Sequence, residues 1–475
     1  MSLTRKLAHN TIMQMIGRFG GGILAVLGIA LITRYLGREG FGIYTTITSF
    51  LMFFGILINF GLTVITIQMI SERDDGIDNI LNNILTLRFI SAVIFLGIAP
   101  VVALFFPYPV IIKIGIAITA LAFLFQMMTE TVIGLFQKKL QMYKPAMAEF
   151  ISRIIFVLLI WLFIRLEYGI LAMMVALITA NFLWFVGVFY YASKLVKLRP
   201  RFDWILWKEV IVRAWPIAIS IVLNLVYLKG DVIILSVMKN QEAVGIYGAP
   251  YKLIDALTTF AMMFMGLILP LLASAWAKGL HDRFISIFQR TLDMMLIVVF
   301  PMIIGTYFIS KKVMVFIAGS DFDISGPVLT ILVIGAASLF IGSLFAHTIV
   351  ALDKQKVAVW GYLIDAVLSF IGYLIFIPKY SYIGAAWVTV FSEAFIAVFS
   401  FIIIYKYTGV FPKFIKSSLK AILASIPMVL FLYFFGEMHV ALLMIGSTII
   451  YGVFIVLFKG IDFEEVKTII KLKAE

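Results

Sequence analysis

Cysteine is absent from the 475 residues, so the chain has no disulfide, no thiol chemistry and no thiolate metal site. The four histidines, His9, His281, His347 and His439, stand too far apart to suggest a metal-binding cluster. Charge is scarce as well. Only 13% of the residues are Asp, Glu, Lys or Arg while 63% are hydrophobic, against about 25% charged in soluble domains. That leaves too few polar residues to clothe a soluble globule, and it excludes soluble enzymes, disordered regulators and coiled coils. A glycine-rich phosphate loop is missing, which argues against direct ATP coupling and leaves ions, membrane potential or a substrate gradient as the energy source.

What is present is apolar sequence in long runs, with 44 Phe, 22 Met and a mean hydropathy of +1.10. Fourteen stretches are long enough to cross a bilayer, each of about 20 residues or more at roughly 1.5 Å per residue. They lie near 11–35, 42–69, 81–105, 110–136, 145–164, 169–193, 209–238, 243–274, 286–309, 327–351, 357–377, 383–405, 418–436 and 439–458. The pattern predicts an all-α integral membrane protein whose short connections force neighbouring helices to run antiparallel. The first run is too long for a signal peptide and contains Arg18, so it reads as a retained span.

The net charge of +13 is spread singly between apolar runs, which points to loop charge balance and not to nucleic acid. Of the 38 Lys and Arg, twenty-four fall on the side of the N-terminus, eight on the other and six inside spans. Such a bias predicts a multi-pass plasma membrane protein with both termini cytoplasmic.

The turn after span one, Glu39-Gly40-Phe41-Gly42-Ile43-Tyr44, matches the turn after span seven, Glu242-Ala243-Val244-Gly245-Ile246-Tyr247. Spans one and seven run the same way, so the match predicts a parallel repeat of two pseudo-symmetric six-helix lobes plus two C-terminal helices. The expected organisation is a lobe at 1–194, a linker at 195–208, a second lobe at 209–407, added helices at 408–458 and a surface helix at 459–475. In that last segment Phe463, Val466 and Ile470 recur at helical spacing among charges.

Asn10 before a first span ending Thr33-Arg34-Tyr35-Leu36-Gly37, then Gly42-Ile43-Tyr44 and Gly61-Leu62, resembles the polysaccharide-transport (O-antigen type) flippases. Tyr227 with Asp231, the Gly245-Ile246-Tyr247-Gly248 turn, and Gly384-Ala385-Ala386 carry the resemblance along most of the chain. These flippases share a superfamily with lipid II flippases and cation-coupled multidrug exporters. The resemblance implies alternating-access transfer of a polyprenyl-diphosphate-linked oligosaccharide from the inner to the outer leaflet, for cell-surface polysaccharide or glycan assembly. It implies no enzymatic activity. A monomer is expected, because each lobe already has an internal partner.

Charges inside the spans carry the chemistry. Six bases (Arg18, Arg88, Arg153, Arg213, Lys229, Lys252) and seven acids (Glu130, Glu149, Asp231, Asp255, Asp293, Asp365, Glu393) lie there. At about 2.5 kcal/mol each against lipid, thirteen would cost on the order of 30 kcal/mol, above a typical stability of about 5–15. They must face a cavity or one another. Arg18, Arg88 and Arg153 each stand seven to eight residues from the cytoplasmic ends of spans one, three and five, roughly 11 Å deep. Together they form a candidate cationic ring for a diphosphate, since guanidinium groups bind phosphate oxygens bidentately. Glu149, four residues before Arg153, offers local pairing instead. Lys229 and Lys252 are candidates for the outer half of the phosphate path, although Asp255 lies three residues from Lys252.

Asp231, Asp365, Thr389 and Glu393 form a candidate coupling-ion site, because the resemblance implies a cation site among these helices. Oxygen ligands suit sodium and a buried carboxyl suits a proton, so both remain open. Gly20–Gly22, Pro216, Pro250 and Pro270 are candidate hinges. Two rivals share some of these features. An exporter of small cations would share the topology, but the basic residues would repel its cargo. A multispan glycosyltransferase would want a metal-binding acidic pair, and Asp321-Phe322-Asp323 falls in an outer loop too short to be more than a helix cap.

Overall fold

The computed structural model describes the backbone of residues 3–72 and 76–460, with side chains from Gly20 onward apart from 216–217 and 219–228. The side chains of Arg18, Pro216 and Tyr227, and the expected surface helix at 459–475 beyond residue 460, therefore lie outside the described residues. The chain forms α1 (Leu3–Asn59), α2 (Leu62–Glu72), α3 (Ile77–Leu104), α4 (Val110–Lys138), α5 (Tyr143–Arg165), α6 (Ile170–Ser193) and α7 (Trp204–Met238). It continues through α8 (Gln241–Ala277), α9 (His281–Ala318), a 3-10 turn (Ser320–Ser325), α10 (Gly326–Ala351), α11 (Gln355–Thr408), α12 (Ile415–Phe434) and α13 (Val440–Leu457). This is an all-α multi-pass membrane fold.

The fourteen apolar stretches are distributed over these helices with two mergers. α1 carries the first stretch and most of the second, and α11 carries the eleventh and twelfth. A straight helix of 54 residues such as α11 would reach about 80 Å, far beyond a hydrocarbon core of about 30 Å, so each long helix must fold back. α1 does so at Gly37, whose φ of 65° and ψ of −170° only glycine adopts without strain. α11 does so at Ser381, with φ 50° and ψ −134°, a conformation that costs a non-glycine residue on the order of 1–3 kcal/mol. The two arms of α11 then lie side by side: Gly372 meets Val388, Gly361 meets Phe399 and Gly384 meets the carbonyl of Phe376. All three pairs are centred on position 380, which defines a helical hairpin. Gly20–Gly22, read from sequence as a hinge, sit in continuous helix. So do Pro250 and Pro270 in α8.

Two compact units divide the chain, Met1–Gly248 and Ala249–Glu475. α7 and the first turns of α8 belong to the first. There, α1 packs on α5 through its glycines, since a Cβ at Gly20 would stand 2.8 Å from the Phe150 ring and one at Gly28 3.1 Å from Phe156. A core of Ile65, Ile84, Leu135 and Phe136 joins α2, α3 and α4. In the second unit Phe284, Phe288, Leu344 and Phe345 join α9 and α10, and α12 and α13 pack on α9 around Met428, Leu443 and Tyr451. Tyr451 donates to the carbonyl of Ile297 at 2.6 Å, satisfying its hydroxyl within the apolar layer. Outward faces are apolar, with Ile98, Leu158, Val398 and Ile449 exposed, as lipid requires.

Candidate functional site

Arg88 is the one fully buried base among the described residues of the first unit, with no exposed surface. α1 ends at Asn59, and α2 restarts at Leu62 after Phe60 and Gly61, both at positive φ. This break leaves polar groups at membrane depth, and Arg88 on α3 fills it. Its Nη2 donates to Asn59 Oδ1 at 2.7 Å and Thr63 Oγ1 at 3.0 Å, and its Nη1 donates to Thr131 Oγ1 on α4 at 3.0 Å. Glu130 of α4, which accepts from Gln126 at 3.1 Å, supplies the compensating negative field. The guanidinium thus ties three helices together with neutral acceptors.

Arg153 on α5 is different. Both Nε and Nη2 donate to one oxygen of Glu149, at 3.1 and 2.7 Å, and the pair is partly exposed. Its aliphatic stem runs over Gly21 of α1, where a Cβ would stand 3.2 Å from Cδ. The glycine cluster therefore makes room for Arg153. Arg18 stands one turn earlier on α1. Arg88 and Arg153 are held by different groups, Arg88 by Asn59, Thr63 and Thr131 and Arg153 by Glu149, and the Arg18 side chain lies outside the described residues. Arg213, at the start of α7, pairs with Glu72 and Glu209 at 2.9 and 2.8 Å as an interfacial anchor. Lys229 and Lys252 are half-buried and already engaged.

Asp231 is fully buried in the first unit; its Oδ2 accepts from the Tyr247 hydroxyl at 2.5 Å and its Oδ1 from the amide of Val232 at 2.7 Å. Asp365, Thr389 and Glu393 belong to the second unit, on the α11 hairpin. Asp365, also fully buried, accepts from Ser392 at 2.7 Å across the hairpin and from Ser369 at 3.3 Å one turn on. Thr389 Oγ1 lies 3.3 Å from the Tyr373 hydroxyl, and buried Glu393 lies within the field of Asp365. Two carboxyls with hydroxyls around them are hard oxygen donors, suited to a small cation or a shared proton. No group of three or more His, Asp or Glu able to hold a metal occurs among the described residues.

The matching turns meet. A Cβ on Gly42 would collide with the carbonyl of Gln241, and one on Gly245 with the carbonyl of Arg38. Each glycine meets the carbonyl four residues before the other, so the contact is reciprocal and a local two-fold relates the turns. Arg38 pairs with Glu242 at 3.1 Å, and Thr46 donates to Gln241 Oε1 at 2.6 Å. The Tyr108 and Ser236 hydroxyls close the cluster at 2.8 Å. From sequence the motif reads as a marker of the repeat. Two glycines at equivalent turns, where a Cβ would bar close approach, were the available signal that the turns also touch.

Residues 7–276 match the family described as "Polysaccharide biosynthesis protein". The chain belongs to that family. Among curated members with detectable similarity, the Haloferax volcanii protein named "Probable low-salt glycan biosynthesis flippase Agl15" is 24% identical over 164 residues, 34% of this chain and 35% of its own length. The match thus spans about a third of that relative. The Staphylococcus aureus "Capsular polysaccharide biosynthesis protein CapF" is 23% identical over 297 residues, 61% of this chain and 74% of its own. In fold, the chain superposes on the lipid II flippase MurJ in an inward closed conformation with a TM-score of 0.78 at 17% identity, covering 96% of this chain and 99% of that one. The polysaccharide biosynthesis family member described here therefore has the two-lobe flippase architecture.

Proposed function

We propose that the chain is an alternating-access flippase moving a polyprenyl-diphosphate-linked oligosaccharide from the cytoplasmic to the outer leaflet, for surface polysaccharide or glycan assembly. The reading takes 1–194 and 209–407 as two six-helix lobes joined by the linker 195–208, with 408–458 appended and both termini cytoplasmic. It places the protein in the plasma membrane as a monomer.

The observation that carries it is the reciprocal closure at Gly42 and Gly245. Both turns fall in the first compact unit, and the reading assigns them to different lobes, the turn after span one to the first and the start of α8 to the second, on the side opposite the N-terminus. Its polar ties are weak: an ion pair open to solvent contributes about 0.2–1 kcal/mol and a hydrogen bond about 0.5–1.5. A closure of this strength opens at a cost of a few kcal/mol, the range of ordinary two-state equilibria. Family membership, and relatives named for capsule and glycan flipping, support the substrate class.

The diphosphate is assigned to Arg18 and Arg153, with Lys229 and Lys252 further along the path. The partly exposed Glu149 pair leaves Arg153 able to exchange its carboxylate for phosphate, whereas Arg88 reaches a ligand only if the α1–α2 break opens. Asp365, Glu393 and Thr389, with Asp231, are assigned to sodium or proton coupling.

A cysteine-free chain makes the closure testable without background. Thr46→Cys with Gln241→Cys, oxidised to a disulfide, is expected to abolish flipping of a short-chain polyprenyl-diphosphate oligosaccharide in proteoliposomes, with recovery on reduction. Full flipping with the disulfide intact would overturn the assignment.

A further inference from the structure

We propose that the α6–α7 linker builds a binding site for an anionic phospholipid on the outward side of α3, α4 and α6. The proposal concerns a resident lipid and does not rest on the transport reading.

The linker is not a loose connection. The amides of Lys197, Arg199 and Arg201 donate to Asp78 Oδ2 at 3.3 Å, Asn82 Oδ1 at 3.0 Å and Thr86 Oγ1 at 3.0 Å. Asn82 Nδ2 returns a bond to the carbonyl of Lys197 at 2.8 Å, and Arg201 Nη1 donates to Asn79 Oδ1 at 2.9 Å. The spacing explains the fit. Positions 78, 82 and 86 form one stripe of α3 rising about 6 Å per step, and alternate residues of an extended strand advance about 6.6 Å. A strand laid along that stripe meets a polar side chain at every second amide. The helix surface thus satisfies the linker backbone in place of water, and the linker is fixed as one wall of a cavity.

That cavity has a volume of about 350 Å³, within the range of about 300–1,000 Å³ usual for ligand sites. Its walls are apolar: Leu85 and Phe89 from α3, Met128 from α4, Phe189 from α6 and Leu198 from the linker. Asn82 and Thr86 also line it, but the linker already engages their polar atoms. The wall that carries charge is Arg199, an exposed residue whose guanidinium makes no ion pair among the described residues. Lys194, Lys197, Arg201 and Lys208 flank it.

Depth follows from the next residues. Phe202, Trp204 and Ile205 are 69%, 64% and 82% exposed, and large apolar side chains presented this way beside bases belong at the headgroup level of a membrane. The linker then lies at the interface with an apolar cavity beneath a guanidinium. A lipid phosphate on Arg199 with an acyl chain against Leu85, Phe89 and Phe189 satisfies both parts. A zwitterionic lipid would bring an ammonium group into a cluster of bases, so the charge selects an acidic headgroup.

The test uses the full chain in nanodiscs made from mixtures of phosphatidylglycerol and phosphatidylcholine, with bound lipid read by native mass spectrometry. Wild type is expected to retain phosphatidylglycerol about tenfold over phosphatidylcholine, the equivalent of one charge-assisted bond. Arg199→Gln should abolish that preference and Arg199→Lys should retain part of it. Leu198→Trp, which fills the cavity from the linker side, should lower retention of both lipids while the protein stays folded. An unchanged preference in Arg199→Gln, equal retention of the two lipids by wild type, or selective retention of added undecaprenyl phosphate over phosphatidylglycerol would each overturn the proposal.

Discussion

Buried Arg88 in the first unit and buried Asp365 and Glu393 in the second are accommodated in opposite ways, while Asp231 of the first unit accepts from a hydroxyl as Asp365 does. In the first unit a cation, Arg88, is surrounded by neutral acceptors and held by three helices, with Glu130 as distant compensation. In the second, two acids, Asp365 and Glu393, sit on one helical hairpin with hydroxyl donors to Asp365 and no cationic partner among the described residues. A guanidinium is permanently charged and can be buried only if its surroundings are built for it. A carboxyl can shed its charge by taking a proton or a cation. The arginine is thus part of the frame, and the acids are where charge can change.

Replacement of Arg88 should separate the two most strongly. Arg88→Leu removes the donor that fills the α1–α2 break, takes one hydrogen bond from each of Asn59, Thr63 and Thr131, and leaves Glu130 without the nearby cation. The expected loss is about 3–5 kcal/mol, as for breaking a buried charge arrangement, read as reduced unfolding stability in micelles. A loss below about 1 kcal/mol would contradict the structural role. In the second unit, Asp365→Asn should cost no more than about 1.5 kcal/mol, because Ser392 and Ser369 can reorient their hydroxyls to an amide. Glu393→Gln should not destabilise and should be slightly stabilising, since it removes an acid buried beside a second acid. What these variants should lose is dependence on an imposed sodium or proton gradient. Flipping that follows both gradients as wild type does in Asp365→Asn with Asp231→Asn would remove the coupling assignment.

Much of this contrast was legible in the sequence, because intramembrane charge is costly wherever it occurs and each such residue announces itself. The spans were legible for the same reason, down to the eleventh and twelfth, which α11 carries in one piece. Partners were not. Thr131, Asn59 and Ser392 are ordinary hydroxyl and amide residues, and only helix packing brings them to Arg88 and Asp365. The chain reversals at Gly37 and Ser381 fall inside the connections expected at 36–41 and 378–382; what the sequence did not show is that the helix resumes directly after one residue of positive φ, without a polar loop. Glycine showed the same limit. The run at 20–22 signals room, and room serves a hinge or a neighbour equally; here the neighbours are Phe150 and Arg153.

Gly42 tests the closure with a smaller effect. Gly42→Ala places a methyl against the carbonyl of Gln241 and must push the two turns apart, whereas Gly22→Ala meets nothing within 4 Å. The first should raise labelling of a cysteine placed at Thr46 by a membrane-impermeant maleimide several-fold, and the second should leave it unchanged. Equal labelling would mean that the glycines permit the contact without setting it.

The smallest stability effect falls on Arg153, and it is informative because it is small. Its pair with Glu149 is partly exposed and spaced four residues apart, an arrangement that contributes about 0.3–0.5 kcal/mol. Arg153→Gln should therefore leave stability almost untouched, in contrast to Arg88→Leu. If Arg153 meets the diphosphate, the same variant should weaken binding of a soluble short-chain polyprenyl diphosphate about tenfold or more, the worth of a charge-assisted bond. Glu149→Gln should act in the opposite direction, since it frees the guanidinium that Glu149 now occupies, and should tighten that binding. A structural pair would give the same result for both variants, a slight loss of stability with affinity unchanged, so opposite signs at positions 149 and 153 would distinguish a substrate contact from a helix-stabilising ion pair.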